Sequence, residues 1–167
     1  EQTLRSVGEQ VAAIIAEPCL GNCGAILPEK GFLQFIRKQC DKYGIVFILD
    51  EVKTGFRIAN GGAQEYYRIK PDLATYAKAL GNGYPVAAFG GKKEIMGIIG
   101  HGVAQGGTYT NNKPGVAAAW ATLNLLQTQP ILKTIEKRGK RLMDGISAIF
   151  TGAGISHCMN GYPAMFT

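Results

Sequence analysis

The sequence lacks an apolar run long enough to cross a membrane. A membrane-spanning helix needs about twenty consecutive apolar residues, and nothing approaching that length occurs among the 167 residues. The opening segment, EQTLRSVGEQ, also lacks the basic region and apolar core of a signal peptide. We therefore expect a protein that has no membrane segment and is located in the cytoplasm.

A recognisable zinc-binding motif of cysteines and histidines is lacking as well. No Cys-x-x-Cys motif occurs, and two histidines with four scattered cysteines do not match the ligand spacing of a zinc site. We expect no metal site, and we interpret the cysteines as reduced thiols of a cytoplasmic protein. The four are Cys19, Cys23, Cys40 and Cys158.

Acidic residues are few, 12 against 18 basic ones, which gives a net charge of +6. The basic residues are dispersed, apart from the segment EKRGKR at 136–141. A nucleic-acid-binding protein can carry such a patch, but a solvated helix face explains it more simply, so we expect no nucleic-acid partner. The hydrophobic share of 46% is enough for the core of one globular domain.

Short apolar runs alternate with helical patterns along the chain. Because strands that are apolar on both faces and alternate with helices are typical of parallel sheets, the sequence predicts an α/β fold with a mainly parallel sheet flanked by helices on both sides. One helix is expected to begin at Pro28 and end at Gly44, and two more cover 114–127 and 130–150. The strand candidates are residues 11–17, 45–50, 72–78 and 85–91.

Three strand candidates end in charged side chains, Glu17, Asp50 and Lys78. Ligands bind beyond the carboxyl ends of strands in open α/β sheets, so we expect these side chains to face one cleft. A lysine and a carboxylate together suit pyridoxal phosphate (PLP), which attaches to a lysine while a carboxylate holds its ring nitrogen protonated. The same residues also suit a simpler interpretation, a loop-anchoring aspartate and a solvated lysine.

Four motifs carry a resemblance to a known family. In chain order they are AEPCLGNCG, LDEVKTGFR, PDLATYAKALGNGYPVAAFGG and QGGTYTNNKPG. Together they resemble the class III PLP-dependent aminotransferases, which have the fold type I architecture, and EPCLGNCG and FGGKKEIM are most similar to the glutamate-1-semialdehyde aminomutase branch. The resemblance implies that residues 1–150 are the second half of the PLP-binding large domain and that 151–167 begin a small C-terminal domain.

The resemblance also implies roles for five residues. Lys78 would hold PLP through a Schiff base and move a proton at the substrate's α-carbon. Asp50 would bind the ring nitrogen, and Val52 would pack against one face of the ring. The last two would bind the phosphate of the other subunit's cofactor, which implies a homodimer with shared active sites; they are Gly107 and Thr108.

Three positions depart from the family pattern or leave it open. Lys53 stands where much of the family has glutamine or methionine, and it either pairs with the cofactor's phenolic oxygen or turns to solvent. Asn22 stands where ω-amino-acid aminotransferases have a glutamate, which argues against an ornithine-type specificity. Arg57 either binds a substrate carboxylate or forms a structural ion pair.

The function implied by the resemblance is amino transfer from an amino donor to a carbonyl acceptor, both small molecules. An intramolecular amino shift, as in glutamate-1-semialdehyde aminomutase, and racemisation on the same scaffold are alternatives. A non-catalytic fragment that acts as an interaction module is the alternative from another class. The isolated chain is expected to be inactive because parts of the family's pocket lie outside the motifs above.

Overall fold

A four-stranded sheet is the centre of the computed structural model, which describes residues 1–167. Its strands lie in chain order, and the first three are parallel while the fourth runs antiparallel to the third. This confirms an α/β fold with a mainly parallel sheet. The strands are β1 (Ala13–Ala16), β2 (Val46–Asp50), β3 (Leu73–Tyr76) and β4 (Ala88–Gly91).

Six helices surround or follow the sheet, and a two-stranded hairpin lies near the C-terminus, formed by β5 (Gly161–Tyr162) and β6 (Met165–Phe166). Short 3₁₀ turns occupy Gly8–Gln10 and Lys78–Leu80. None of the helices combines the length and the apolar character that a membrane span requires. The helices are α1 (Gln2–Val7), α2 (Phe32–Tyr43), α3 (Gly62–Tyr67), α4 (Lys93–Met96), α5 (Lys113–Thr128) and α6 (Ile131–Gly152).

Helix α2 begins later than its sequence predicts. Pro28 was expected at the first helical position, but Gly31 takes a left-handed conformation with φ of 87° and the helix begins at Phe32. The prediction failed because a glycine that suits this conformation breaks the helical path after the proline. Gly44 ends the helix as predicted, with φ of 66° and its amide bonded to the Cys40 carbonyl.

The hydrophobic core lies on one face of the sheet. Phe47 and Leu49 of β2 are fully buried and pack with Leu33, Ile36 and Cys40 of α2. Burial of side chains of this size contributes about 1.5–3 kcal/mol each, so the contact between β2 and α2 supplies much of the stability.

The other face of the sheet is largely open. Ile15 is 61% exposed there and Ile48 only half-buried, whereas the apolar strand pattern predicted helices on both faces. Helix α5 instead packs mainly on the turn Lys78–Leu80 and on α6. Helix α6 has no buried residue, and three of its apolar side chains are exposed, Ile135, Leu142 and Ile149.

A buried carboxylate fixes the sheet to its surroundings. Asp72 precedes β3, and its Oδ2 accepts hydrogen bonds from the Phe47 amide at 2.7 Å and from Arg37 at 2.8 Å. Its Oδ1 pairs with Lys92 Nζ at 2.6 Å. Burial by itself raises the pKa of Asp72, but the hydrogen bonds from Lys92, Phe47 and Arg37 together outweigh it and lower the pKa to about 2.

Candidate active site

Asp50 is the last residue of β2, and one of its carboxylate oxygens is free. Oδ1 accepts hydrogen bonds from the Val52 amide at 3.0 Å and from the Thr75 hydroxyl at 3.1 Å. Oδ2 has no hydrogen-bond partner in the structure. Asp50 and Glu17 line a cavity of about 690 Å³, the Asp50 cavity. The carboxylate is thus oriented by two donors and keeps one oxygen available for a ligand.

Lys78 begins the 3₁₀ turn that follows β3. Its φ is +44°, a conformation that residues other than glycine seldom adopt and that costs on the order of 1–3 kcal/mol. The turn is closed by the Asn82 amide, which donates to the Lys78 carbonyl at 2.9 Å. The side chain is exposed, has no hydrogen bond or ion pair, and lines a cavity of about 500 Å³, the Lys78 cavity.

Val52, Gly107 and Thr108 line a third cavity of about 940 Å³, the Thr108 cavity. Thr75 also lines the Thr108 cavity, and its hydroxyl donates a hydrogen bond to Asp50. One side chain therefore contacts both this cavity and the Asp50 carboxylate. Gly107 and Thr108 are exposed, and the Thr108 hydroxyl has no partner.

Glu17, Asp50 and Lys78 were expected to face one cleft. Glu17 and Asp50 share the Asp50 cavity, but Lys78 lines a different one. The strand prediction was too long here: β3 ends at Tyr76, two residues before Lys78, and the lysine belongs to the following turn instead of the strand end.

Glu51, next to Asp50, is completely buried, and the sequence analysis did not single it out. Its carboxylate accepts hydrogen bonds from the Thr54 hydroxyl at 3.1 Å and from the Ala63 and Gln64 amides at 2.6 and 3.3 Å. The Gln64 side chain donates a fourth at 3.1 Å. Alternation along β2, which turns neighbouring side chains to opposite faces, was the available signal that one of the two acids lies inside.

Gln64 extends this arrangement to β3. Its Nε2 also donates to the Tyr76 hydroxyl at 2.6 Å. Tyr76 is the last residue of β3 and packs against Phe56, with ring centroids 5.3 Å apart. Burial, followed by the nearby charge of Glu51, raises the pKa of Tyr76. We call these four residues the Glu51 network: Glu51, Thr54, Gln64 and Tyr76.

Lys53 and Arg57 lie in the loop that follows Asp50, and both side chains form hydrogen bonds with neighbouring segments. Lys53 Nζ donates to Asn22 Oδ1 at 2.6 Å, and a Cβ on Gly21 would lie only 2.4 Å from the lysine side chain. Arg57 donates to the carbonyls of Lys53 at 2.9 Å and Ala164 at 3.5 Å. The structural ion pair considered for Arg57 is not formed, because no carboxylate contacts its guanidinium.

Comparison with known families identifies the family of this chain. A family model described as Aminotransferase class-III matches residues 1–157. The chain belongs to the class III aminotransferase family. The predicted family is thereby confirmed from a match that includes Asp50, Val52, Lys78 and Thr108.

Individual relatives agree with this class III assignment. A glutamate-1-semialdehyde 2,1-aminomutase of Thermodesulfovibrio yellowstonii is 44% identical over 158 residues, which cover 93% of this chain and 37% of the aminomutase. An omega-transaminase from Sphaerobacter thermophilus superposes with a TM-score of 0.85 at 30% identity, over 97% of this chain and 38% of that one.

A third relative is the FumI protein of Sphingopyxis sp. MTA144, solved in a PLP-bound form. It superposes with a TM-score of 0.88 at 26% identity, over 97% of this chain and 39% of that one. These similarities confirm the fold type I transferase class. The class III chain described here spans less than half the length of each of the three relatives.

Proposed function

We propose that the protein containing this chain is a PLP-dependent aminotransferase, which moves an amino group from an amino donor to a carbonyl acceptor. One observation carries the proposal. In a class III chain, β2 ends in a carboxylate with a free oxygen, and the neighbouring strand β3 leads to a lysine that has no partner. The partners are then small-molecule donors and acceptors, and the site of action is the cytoplasm.

The residues present fit PLP. Asp50 Oδ2 can accept a hydrogen bond from a protonated ring nitrogen, and Lys78 Nζ is available for covalent attachment. The half-buried Val52 suits packing against the ring, while Gly107 and the Thr108 hydroxyl suit a phosphate. When bound, PLP supplies a sink for the electrons released as the substrate's α-C–H bond breaks.

This chain's own contributions to the reaction follow from these positions. Asp50 keeps a negative charge where a ring nitrogen would be held, and Val52 and Thr75 fix its orientation. Lys78 Nζ would, as the neutral amine, take the proton from the substrate's α-carbon and, as the ammonium so formed, return it in a later step.

A second candidate is an intramolecular amino shift. The 44% identity to a glutamate-1-semialdehyde aminomutase favours it. The two reactions differ in stoichiometry: an aminotransferase consumes a donor and an acceptor in equal amounts, whereas an aminomutase converts one substrate without an acceptor. A screen of donors and acceptors on the full-length protein, with chiral analysis of the product, distinguishes them.

The proposal extends to domains and assembly. Residues 1–150 are assigned to the second half of the PLP-binding large domain and 151–167 to the start of a small domain; α6 ends near this boundary, at Gly152, and the hairpin after it forms its own two-stranded sheet while Tyr162 packs on Cys19 and Ala25. The proposal includes a homodimer in which Thr108, which is exposed in this chain and so accessible to a second subunit, serves the other subunit's site. The isolated 167-residue chain is then not expected to transaminate.

Covalent labelling tests the proposed function. Full-length protein mixed with PLP should absorb in the visible range, and borohydride should fix the cofactor to a peptide containing Lys78, because this amine alone of the site lysines lacks any partner. Peptide mass spectrometry reads the position. Label on Lys53 or Lys92 instead of Lys78 would show that the assignment is wrong, and Lys78→Ala is the matched control that should carry no label.

A further inference from the structure

Buried polar groups link the two elements that carry Asp50 and Lys78. Glu51 follows Asp50 directly, and its own amide donates to the Thr75 carbonyl of β3 at 3.0 Å. Gln64 Nε2 bridges the Glu51 carboxylate and the Tyr76 hydroxyl, at 3.1 and 2.6 Å. The turn after β2 and the end of β3 are therefore tied together by side chains as well as by the sheet.

The chemistry of Glu51 makes this link strong. Every group that contacts its carboxylate is a hydrogen-bond donor, and no lysine or arginine reaches it. A fully buried carboxylate without a cation depends on such donors, because each donor removed leaves a buried oxygen unsatisfied. Gly62 leaves room for the Glu51 carboxylate. Its φ is +65°, and a Cβ at this position would lie only 2.2 Å from Glu51 Oε2.

Gln64 occupies the position where the link can be broken. It donates to Glu51 through both its backbone amide and its side chain, and its side chain alone reaches Tyr76. Tyr76 lies two residues before Lys78, and Glu51 lies one residue after Asp50. A displacement at Gln64 is thus transmitted over one or two residues to each member of the pair.

We propose that Gln64 is a positioning residue which, through Glu51 and Tyr76, sets Asp50 relative to Lys78. This inference rests on the proposed function, because it assigns the network a task in holding PLP between those two residues. Groups that orient the direct ligands of a metal ion commonly change affinity by about 10–100-fold when removed, and by analogy we expect an effect on PLP affinity at the lower end of that range here.

The experiment uses Gln64→Leu and Tyr76→Phe in the full-length protein. Leucine removes both side-chain hydrogen bonds at similar volume, whereas phenylalanine removes only the hydroxyl and keeps the packing on Phe56. The PLP dissociation constant and the pH midpoint at which the visible band of the bound cofactor titrates are measured by absorbance, without turnover. We expect a dissociation constant raised about tenfold for Gln64→Leu and less for Tyr76→Phe, with a displaced midpoint in both.

Two controls separate positioning from general loss of stability. Glu65→Gln changes an exposed neighbour on α3 that accepts from the Gly61 amide at 2.6 Å but does not contact the network. Asp72→Asn weakens the sheet at the start of β3, at a residue that makes no hydrogen bond to the network. Both should leave the titration midpoint unchanged, although Asp72→Asn lowers the unfolding temperature.

The possible results are distinguishable. This inference alone would be overturned if wild-type protein labels at Lys78 while the variants keep a dissociation constant within twofold of wild type and an unchanged pH midpoint. Wild-type protein that takes up no PLP would overturn the proposed function and this inference together. If Gln64→Leu does not fold, Tyr76→Phe decides, because its ring packing is retained.

Discussion

Asp50 combines a fixed orientation with a free oxygen, and its charge is the property that the proposed chemistry uses. Asp50→Asn retains the shape and an acceptor oxygen for Val52 and Thr75 but removes the charge. We expect the rate of α-proton abstraction to fall on the order of a hundredfold or more, as when other key electrostatic groups are removed. Solvent deuterium exchange at the substrate's α-carbon, followed by NMR, measures it.

The matched comparison for Asp50 is Thr75→Val, which removes one hydrogen bond to the carboxylate and keeps its charge. We expect only a several-fold decrease for this variant. A rate for Asp50→Asn within a factor of a few of wild type would indicate that Asp50 is a loop anchor.

Sequence reasoning could single out Asp50 and Lys78 because charged residues at the ends of apolar runs are visible in one dimension. Glu51 was missed because two of its three partners, Ala63 and Gln64, lie twelve and thirteen residues along the chain, and nothing local indicates that their amides turn toward it. The contact between Lys53 and Asn22, 31 residues apart, was hidden for the same reason.

Asp72 joins β2, the start of β3 and α2, and its charge makes that junction dependent on pH. Its pKa is about 2 in the folded protein and 3.8 ordinarily, so its contribution to stability is present above pH 3.8 and is lost as pH falls toward 2. The difference between these two pKa values corresponds to about 2 kcal/mol of folding free energy, which we expect to be lost over that interval. The side chain is only 6% exposed, so solvent screens this contribution little. Urea unfolding of wild type and Asp72→Asn at several pH values measures the difference.

Asp41→Asn is the control for Asp72. Asp41 pairs with the same arginine, Arg37, at 2.8 Å, but its side chain is 65% exposed. An exposed ion pair contributes at most a fraction of 1 kcal/mol, so this variant should differ little from wild type. Equal pH profiles for wild type and Asp72→Asn would contradict the role of Asp72.

The elements themselves were predictable to different degrees. The apolar run of β2 and the glycine after α2 determined their limits almost to the residue, because burial and a left-handed cap act locally. The antiparallel direction of β4 and the open second face of the sheet were not predictable, since both depend on how distant segments pack.

At the scale of the whole molecule, a shared active site predicts complementation between subunits. Lys78→Ala and Thr108→Val homodimers should each be impaired, but mixing them should give heterodimers with one site that combines intact Lys78 and intact Thr108. At equal mixing about a quarter of wild-type activity should return, because half of the dimers are mixed and each has one intact site. Absence of recovery despite subunit exchange, shown by native mass spectrometry, would mean that Thr108 serves its own chain.

The backbone conformation of Lys78 lowers the stability of the fold at the residue that the proposed chemistry requires. Glycine or asparagine adopts a φ of +44° more readily than lysine does, so the fold alone would be better served by either. A selection that rewards only thermal resistance would therefore tend to replace the residue that the proposed reaction needs. Such trade-offs are common where a strained conformation belongs to a reactive site, and programmes that stabilise this scaffold should hold position 78 fixed.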